Sequence, residues 1–310
     1  MDFLHWLSGL RNPVLNAVFQ AITECGGEMM FLIIGIVMLW CVDKRQGYFI
    51  LLVGFFGTYI NQFLKISCRV PRPWVLDPSF SIVESAREAA TGYSFPSGHT
   101  QISVGCFAGL AVCRREKWLR AIVIPLAVLV PFSRMYLGVH TPLDVGVSAA
   151  IALLLVFGLW FLFKRHGDAP RLMIPLLSAL SAFGIFYLLY CLLHTFPADI
   201  DPVNLAEALK NAYTLLGCMI GMWTVYLLDR KFIRFNTQAP LLGQILKASL
   251  GFLIVLLILE GSKPLWNLAL GEDNPLARVL RYALTVIFAG SVWPLTFPRF
   301  AKVGRKQEAM

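Results

Sequence analysis

The sequence predicts an all-α protein, a polytopic membrane helix bundle of about nine transmembrane helices. Three observations predict it. Of the 310 residues, 57% are hydrophobic and only 15% are charged, whereas a soluble globular chain carries about 25% charged and roughly 45–50% apolar residues. The mean hydropathy is +0.68. The apolar residues also gather into repeated runs near the ~20 residues that one bilayer crossing requires. A soluble enzyme, a disordered chain and a disulfide-stapled secreted scaffold are excluded on the same grounds.

The first 24 residues alternate aromatic, aliphatic and polar positions around Pro13. They read as two short amphipathic helical stretches lying in the membrane interface. Asp2 and Arg11 interrupt the hydrophobes there, so a cleavable signal peptide is not expected. Nine apolar segments bounded by Gly, Pro or charge follow, at 28–42, 47–65, 99–113, 118–133, 141–163, 171–193, 209–228, 244–260 and 279–297. Pro125 and Pro131 predict a kink in the fourth.

Charge orients these segments. The loops after segments one, three, five and seven and the C-terminal tail, counted with Arg120, Arg171 and Lys247 at the adjoining segment ends, hold 17 of the 27 Lys and Arg residues. The positive-inside rule then puts the N-terminus outside and the tail in the cytoplasm, which requires an odd number of spans. The net charge of +9 is distributed in these short clusters, so no nucleic-acid partner is expected. A polar linker, Lys164 to Arg171, separates five spans from four. It predicts a catalytic core over 1–168, including the N-terminal interfacial segment, and an accessory four-helix bundle over 169–310. The seven cysteines are scattered with no metal-ligand spacing and read as packing residues.

Three polar segments interrupt the apolar pattern, all on the outer face in this topology. They are Lys65–Pro73, Ser94–Thr100 and Ser133–Asp144. Together they describe an anion site. Lys65, Arg72 and Arg134 supply positive charge, and a guanidinium can fork onto two oxygens. Ser97 and Gly98 stand where a helix begins, so unpaired N–H groups and the helix dipole face whatever binds there. No acidic cluster able to hold magnesium or calcium accompanies them. The expected chemistry is therefore metal-independent phosphoryl transfer, with no metal and no cofactor. His140 and Asp144 are four residues apart, a spacing that shares one helix face. A carboxylate on one ring nitrogen leaves the other free to attack, which makes His140 the candidate nucleophile, forming a phosphohistidine, with Asp144 orienting it. His99 is the candidate general acid, and later the base that activates water.

The patterns Lys-x6-Arg-Pro (Lys65 to Pro73), Pro-Ser-Gly-His (Pro96 to His99) and Ser-Arg-x5-His-x3-Asp (Ser133 to Asp144) resemble the phosphatidic acid phosphatase type 2 superfamily. That superfamily includes undecaprenyl diphosphate phosphatases, glucose-6-phosphatases, sphingosine-1-phosphate phosphatases and vanadium haloperoxidases. All three motifs match in order, over about residues 47–163. The resemblance implies His140 as nucleophile, His99 as acid, and phosphate held by Lys65, Arg72, Ser97, Gly98 and Arg134. Nine spans depart from the six usual in the superfamily's lipid phosphatases, and are similar to glucose-6-phosphatase and sphingosine-1-phosphate phosphatase.

The expected function is hydrolysis of a phosphomonoester or diphosphate at the extracytoplasmic face of a bacterial cytoplasmic membrane. The substrate partner is a phosphorylated lipid of isoprenoid-diphosphate or phosphatidate type, because a site at span ends lets the tail stay in the bilayer. A glucose-6-phosphatase-like sugar phosphatase and a phosphotransferase are the enzyme alternatives. A lipid transporter is the non-enzyme alternative, and the His140–Asp144 pair argues against it. Oligomeric state is left open. Elsewhere the simpler explanations hold. The Gly105/Gly109 and Gly217/Gly221 pairs read as helix packing, and Trp6, Trp74, Trp118, Trp223 and Trp293 as interfacial anchors.

Overall fold

The computed structural model describes residues 1–303, and over that range every regular element is helical. Arg305 and Lys306, which contribute to the predicted cytoplasmic charge of the tail, lie outside the described residues. The chain divides into two compact units. The first comprises Met1–Gly35, Tyr48–Leu172 and His194–Ala208; the second comprises Ile36–Gly47, Met173–Leu193 and the chain from Leu209 on.

Helices α1 (Asp2–Ser8) and α2 (Pro13–Glu24) open the chain. Asn12 caps α2 by accepting from the Leu15 amide at 3.0 Å, with Pro13 at the first helical position where its missing N–H costs nothing. After α3 (Glu28–Val37) come α4 (Lys44–Cys68) and the single turn α5 (Pro73–Leu76). Then α6 (Gly98–Cys113), α7 (Lys117–Tyr136) and α8 (Pro142–His166) complete the matrix of the first unit. Helix α6 is the hub: its residues 100–107 are all buried, and α7 and α8 both pack on it. Gly105 and Gly109 admit α4, since a Cβ there would stand 3.1 Å from Val53 and 2.7 Å from Ile50 respectively. Phe49 of α4 meets Phe163 of α8 edge-on at 5.7 Å. Helix α2 lies against α7, with the Phe19 and Tyr136 rings 4.3 Å apart.

The remaining helices are α9 (Pro170–Leu193), α10 (Pro202–Leu228), α11 (Leu241–Gly261), α12 (Lys263–Leu270), α13 (Pro275–Ile287) and α14 (Phe297–Phe300). Within the second unit, Gly217 and Gly221 of α10 face α13. A Cβ on them would lie 2.4 Å from the Val279 carbonyl and 2.5 Å from Val286, so the small residues set the approach. Trp40, fully buried, donates to the Ala289 carbonyl at 2.9 Å, and Lys247 donates to the Trp40 carbonyl at 2.8 Å.

A helix stands at each of the nine segments expected to span. Among the described residues, seven helical stretches are long and apolar enough to cross a membrane, and the pair Pro13–Glu24 and Glu28–Val42, bent by 45°, is an eighth candidate. The expected third span, α6, has only 16 residues, below the usual ~17–25 for a crossing. Helix α7 runs through Pro125 and Pro131 as one element.

Candidate active site

Each polar motif sits at a helix end of the first unit. Lys65 lies in the last turn of α4, Arg72 caps α5, Ser97 caps α6 and Arg134 lies in the last turn of α7. His140 follows in the short loop before α8. Arg72, Ser97, Arg134, His140 and Asp144 are all buried, and Arg134 and Ser97 have no exposed surface.

His140 is held on both ring edges. Its Nε2 is 3.0 Å from Arg72 Nη1, and its Nδ1 is 3.4 Å from Asp144 Oδ2. The pairing does not come from a shared helical face, as the four-residue spacing suggested. Helix α8 starts at Pro142, so His140 lies outside it, and Asp144 is the third residue of a capping box. Asp144 Oδ2 accepts from the Thr141 amide at 2.8 Å, while Thr141 Oγ1 accepts from the Asp144 amide at 3.2 Å. The carboxylate is thereby folded back over the helix start toward the imidazole. Burial, with Arg72, Arg134 and Lys65 close by, pulls the His140 imidazole well below its ordinary range. The neutral ring this favours can present one nitrogen as a nucleophile.

Ser94, which heads the second polar segment, is a participant to which sequence reasoning gave no role. Fully buried, it donates to Asp144 Oδ2 at 2.6 Å, and its Oγ is 3.5 Å from His140 Nδ1. The only sequence signal was its place two residues before the Pro-Ser-Gly-His motif. Ser94 ends a strap, Thr91–Ser94, that crosses the site. Arg72 donates to the carbonyls of Thr91 (2.6 Å), Gly92 (3.0 Å) and Val139 (3.0 Å), and Lys65 donates to the Tyr93 carbonyl. Gly92 has φ +68, a left-handed conformation that glycine adopts without strain.

The helix start at Pro-Ser-Gly-His is built as expected. Ser97 Oγ accepts from the Thr100 amide at 3.4 Å and from the Thr100 hydroxyl at 3.0 Å. The Ser97 amide donates to the Asp144 carbonyl at 3.2 Å, joining the start of α6 to that of α8. Gly98 and His99 then head α6, where the first amides of a helix lack intrahelical acceptors. At Gly98 the protein itself leaves room, since a Cβ would stand 3.8 Å from Asn61 Oδ1, an ordinary contact.

Arg134 is secured from outside the three motifs. Its Nη1 donates to Thr23 Oγ1 of α2 at 2.9 Å, and Thr23 is also fully buried. The Nε and Nη2 atoms of Arg134 are buried without a hydrogen-bond partner. A buried unpaired donor costs about 1–3 kcal/mol, and an anion in the site relieves that cost. Among the described residues, no three His, Cys, Asp or Glu side chains gather in a way that could hold a metal ion. The arrangement can surround a phosphate with cations and helix-start amides while a neutral imidazole faces the phosphorus.

The chain is similar to known proteins. The PAP2 superfamily description matches residues 46–168, and that of the transmembrane extension of PAP2 superfamily phosphatases matches 213–306. The phosphatidylglycerophosphatase B of Bacillus subtilis is 33% identical over 163 residues, 48% of this chain and 75% of the relative. The undecaprenyl-diphosphatase BcrC of the same organism is 29% identical over 173 residues, covering 54% and 82%. The dihydrosphingosine 1-phosphate phosphatase YSR3 of Saccharomyces cerevisiae is 25% identical over 234 residues, covering 71% and 55%. No solved structure matches the chain. With its three motifs meeting at one buried site and its relatives covered over most of their length, the chain belongs to the PAP2 superfamily and is a multi-pass membrane phosphatase.

Proposed function

We propose that this phosphatase hydrolyses a phosphorylated lipid, without a metal, through a phosphohistidine on His140 at the extracytoplasmic face. The observation that carries this reading is the two-sided hold on His140, with Asp144 and Ser94 at Nδ1 and Arg72 at Nε2. A carboxylate at Nδ1 fixes the tautomer with the proton there and leaves the Nε2 lone pair for attack.

In the first step, phosphate oxygens take over Arg72 Nη1 from His140 Nε2, and Lys65, Arg134 and the amides of Gly98 and His99 share the remaining charge. Nε2 attacks phosphorus as the ester bond breaks, and His99 gives a proton to the departing oxygen. In the second step, His99 takes a proton from water, the water oxygen bonds to phosphorus and the P–N bond breaks. Inorganic phosphate leaves and His140 is restored. Such charge stabilisation by preorganised groups is what phosphoryl transfer chiefly needs.

The lipid assignment rests on the site's place at helix ends and on the names of the relatives, which are an undecaprenyl-diphosphatase, a phosphatidylglycerophosphatase and a dihydrosphingosine 1-phosphate phosphatase. The charge asymmetry of the loops supports an outward-facing site and a cytoplasmic C-terminus in a bacterial membrane. Residues 1–168 form the catalytic core in this reading and 169–310 an accessory bundle.

Phosphate release by the purified full chain in detergent tests it. With EDTA present, release from isoprenoid diphosphate, phosphatidate or phosphatidylglycerophosphate should exceed release from glucose-6-phosphate. His140→Ala should lower it on the order of 10³-fold or more. Loss of activity in EDTA, or an active His140→Ala variant, would refute the mechanism.

A further inference from the structure

The second unit carries a cleft at the turn between two candidate membrane crossings, Leu241–Leu270 and Pro275–Phe300. Helix α12 supplies Lys263 and Trp266 to it, the turn supplies Asp273, and α13 supplies Arg278 and Arg281. All of these residues belong to the second unit, and none stands in the three motifs. The turn itself is fixed by Asn274, which accepts from the Leu276 amide at 2.9 Å and donates to the Leu270 carbonyl at 2.8 Å.

Arg281 is the residue that needs an explanation. It is only 8% exposed and stands six residues past Pro275 in α13, about 9 Å along the helix at ~1.5 Å per residue. Its side chain lines the cleft, and among the described residues no hydrogen bond or ion pair holds its guanidinium. Its one neighbouring charge-seeking group is the Tyr282 ring, 5.2 Å from Cζ to the centroid. Arg278, three residues earlier, shares that helix face. An arginine at membrane depth without a partner is costly, and such residues are kept where something pairs with them. Packing alone would be served by an apolar side chain.

The cleft holds three cations, Lys263, Arg278 and Arg281, against one exposed carboxylate, Asp273. The Trp266 indole N–H adds a donor that no described residue accepts. Guanidinium, ammonium and indole groups donate and do not accept, so the fitting ligand is an anion with several acceptor oxygens. The enclosed space is about 20 Å³, little more than the roughly 10–15 Å³ that one water needs. It therefore takes the oxygens of an anion and leaves the rest of the ligand outside. Leu265 and Leu268 of α12 are exposed on the same short helix, apolar surface suited to an acyl chain. We infer that the cleft is a second phosphate-binding site, separate from the reacting centre, that holds the headgroup of an anionic phospholipid. Basic pockets between membrane helices at the bilayer surface suit such headgroups.

Native mass spectrometry of the purified full chain in detergent tests it, with a short-chain phosphatidylglycerol, the phosphatidylcholine of the same chains and inorganic phosphate as probes. Phosphatidylglycerol should bind about tenfold more tightly than phosphatidylcholine, whose choline cation meets the same arginines; tenfold is the worth of one hydrogen bond to a charged group. Arg278→Gln combined with Arg281→Gln should bring that ratio close to one, while Arg134→Gln, at the reacting centre, should leave it in place. The ratio is internal to each preparation, so a lower yield of folded variant does not alter it. Lys263→Gln combined with Arg278→Gln, which spares the buried Arg281, should lower it in the same direction. A ratio near one in the unaltered protein, a ratio that both double variants leave in place, or one that Arg134→Gln abolishes overturns the site. Displacement of the lipid by inorganic phosphate at concentrations near the lipid's own Kd overturns the lipid as occupant and leaves a site for the free anion.

Discussion

In the proposed mechanism His140 is a buried ring prepared for attack. Burial is the chief cost of charging it, and the nearby Arg72, Arg134 and Lys65 add to that cost. Protonation would consume the lone pair that attacks, so a lowered pKa keeps the ring nucleophilic as the solution is acidified. The acidic limb of kcat/KM, corrected for the substrate phosphate's own ionisation, should therefore fall below the ordinary imidazole value of about 6.5. A pH–rate profile checks this, and a limb at or above that value would mean the free site does not hold a neutral ring. The candidate site residues were legible as a group: Lys65, Arg72, Ser97, Gly98, His99, Arg134, His140 and Asp144 stand in three short motifs. The role of Ser94 was not, because a serine at the head of a loop segment carries no mark of the carboxylate it will meet.

The elements explain what was legible in the fold and what was not. Apolar runs marked α4, α7, α8 and α11, since a bilayer crossing writes its length into hydropathy. Helix α10 begins at Pro202 rather than near 209, because Asn204, Glu207 and Lys210 hid its first turns from a hydropathy reading. The Asp201-Pro202 pair is a start signal that was present. The strap at Thr91–Ser94 had no signal, as it is held through carbonyl oxygens that every residue possesses. Helix α2 likewise looked merely interfacial, yet its Thr23 holds Arg134. A hydrogen bond to a charged group is worth about 1.5–3 kcal/mol, so Thr23→Val should raise KM about tenfold with a smaller fall in kcat. Thr23→Ser should restore KM. Steady-state kinetics on a fixed substrate distinguish this from a general loss of fold, which would lower the active fraction without moving KM.

Across the whole molecule, the candidate reacting groups all come from the first compact unit. The second unit has its own buried polar centre around Trp40 and Lys247. Nothing in its sequence resembles the three motifs, which fits an accessory role. The central claim is that catalysis passes through a covalent bond to His140. Its most direct test is rapid quenching of the full chain, in vesicles, with a lipid substrate labelled in the phosphate, followed by mapping of the labelled peptide. The prediction is a label on His140 that is labile to acid, stable to base and absent from His140→Ala. A label on another residue, an acyl phosphate on Asp144 cleaved by hydroxylamine, or full turnover without any labelled protein would contradict it.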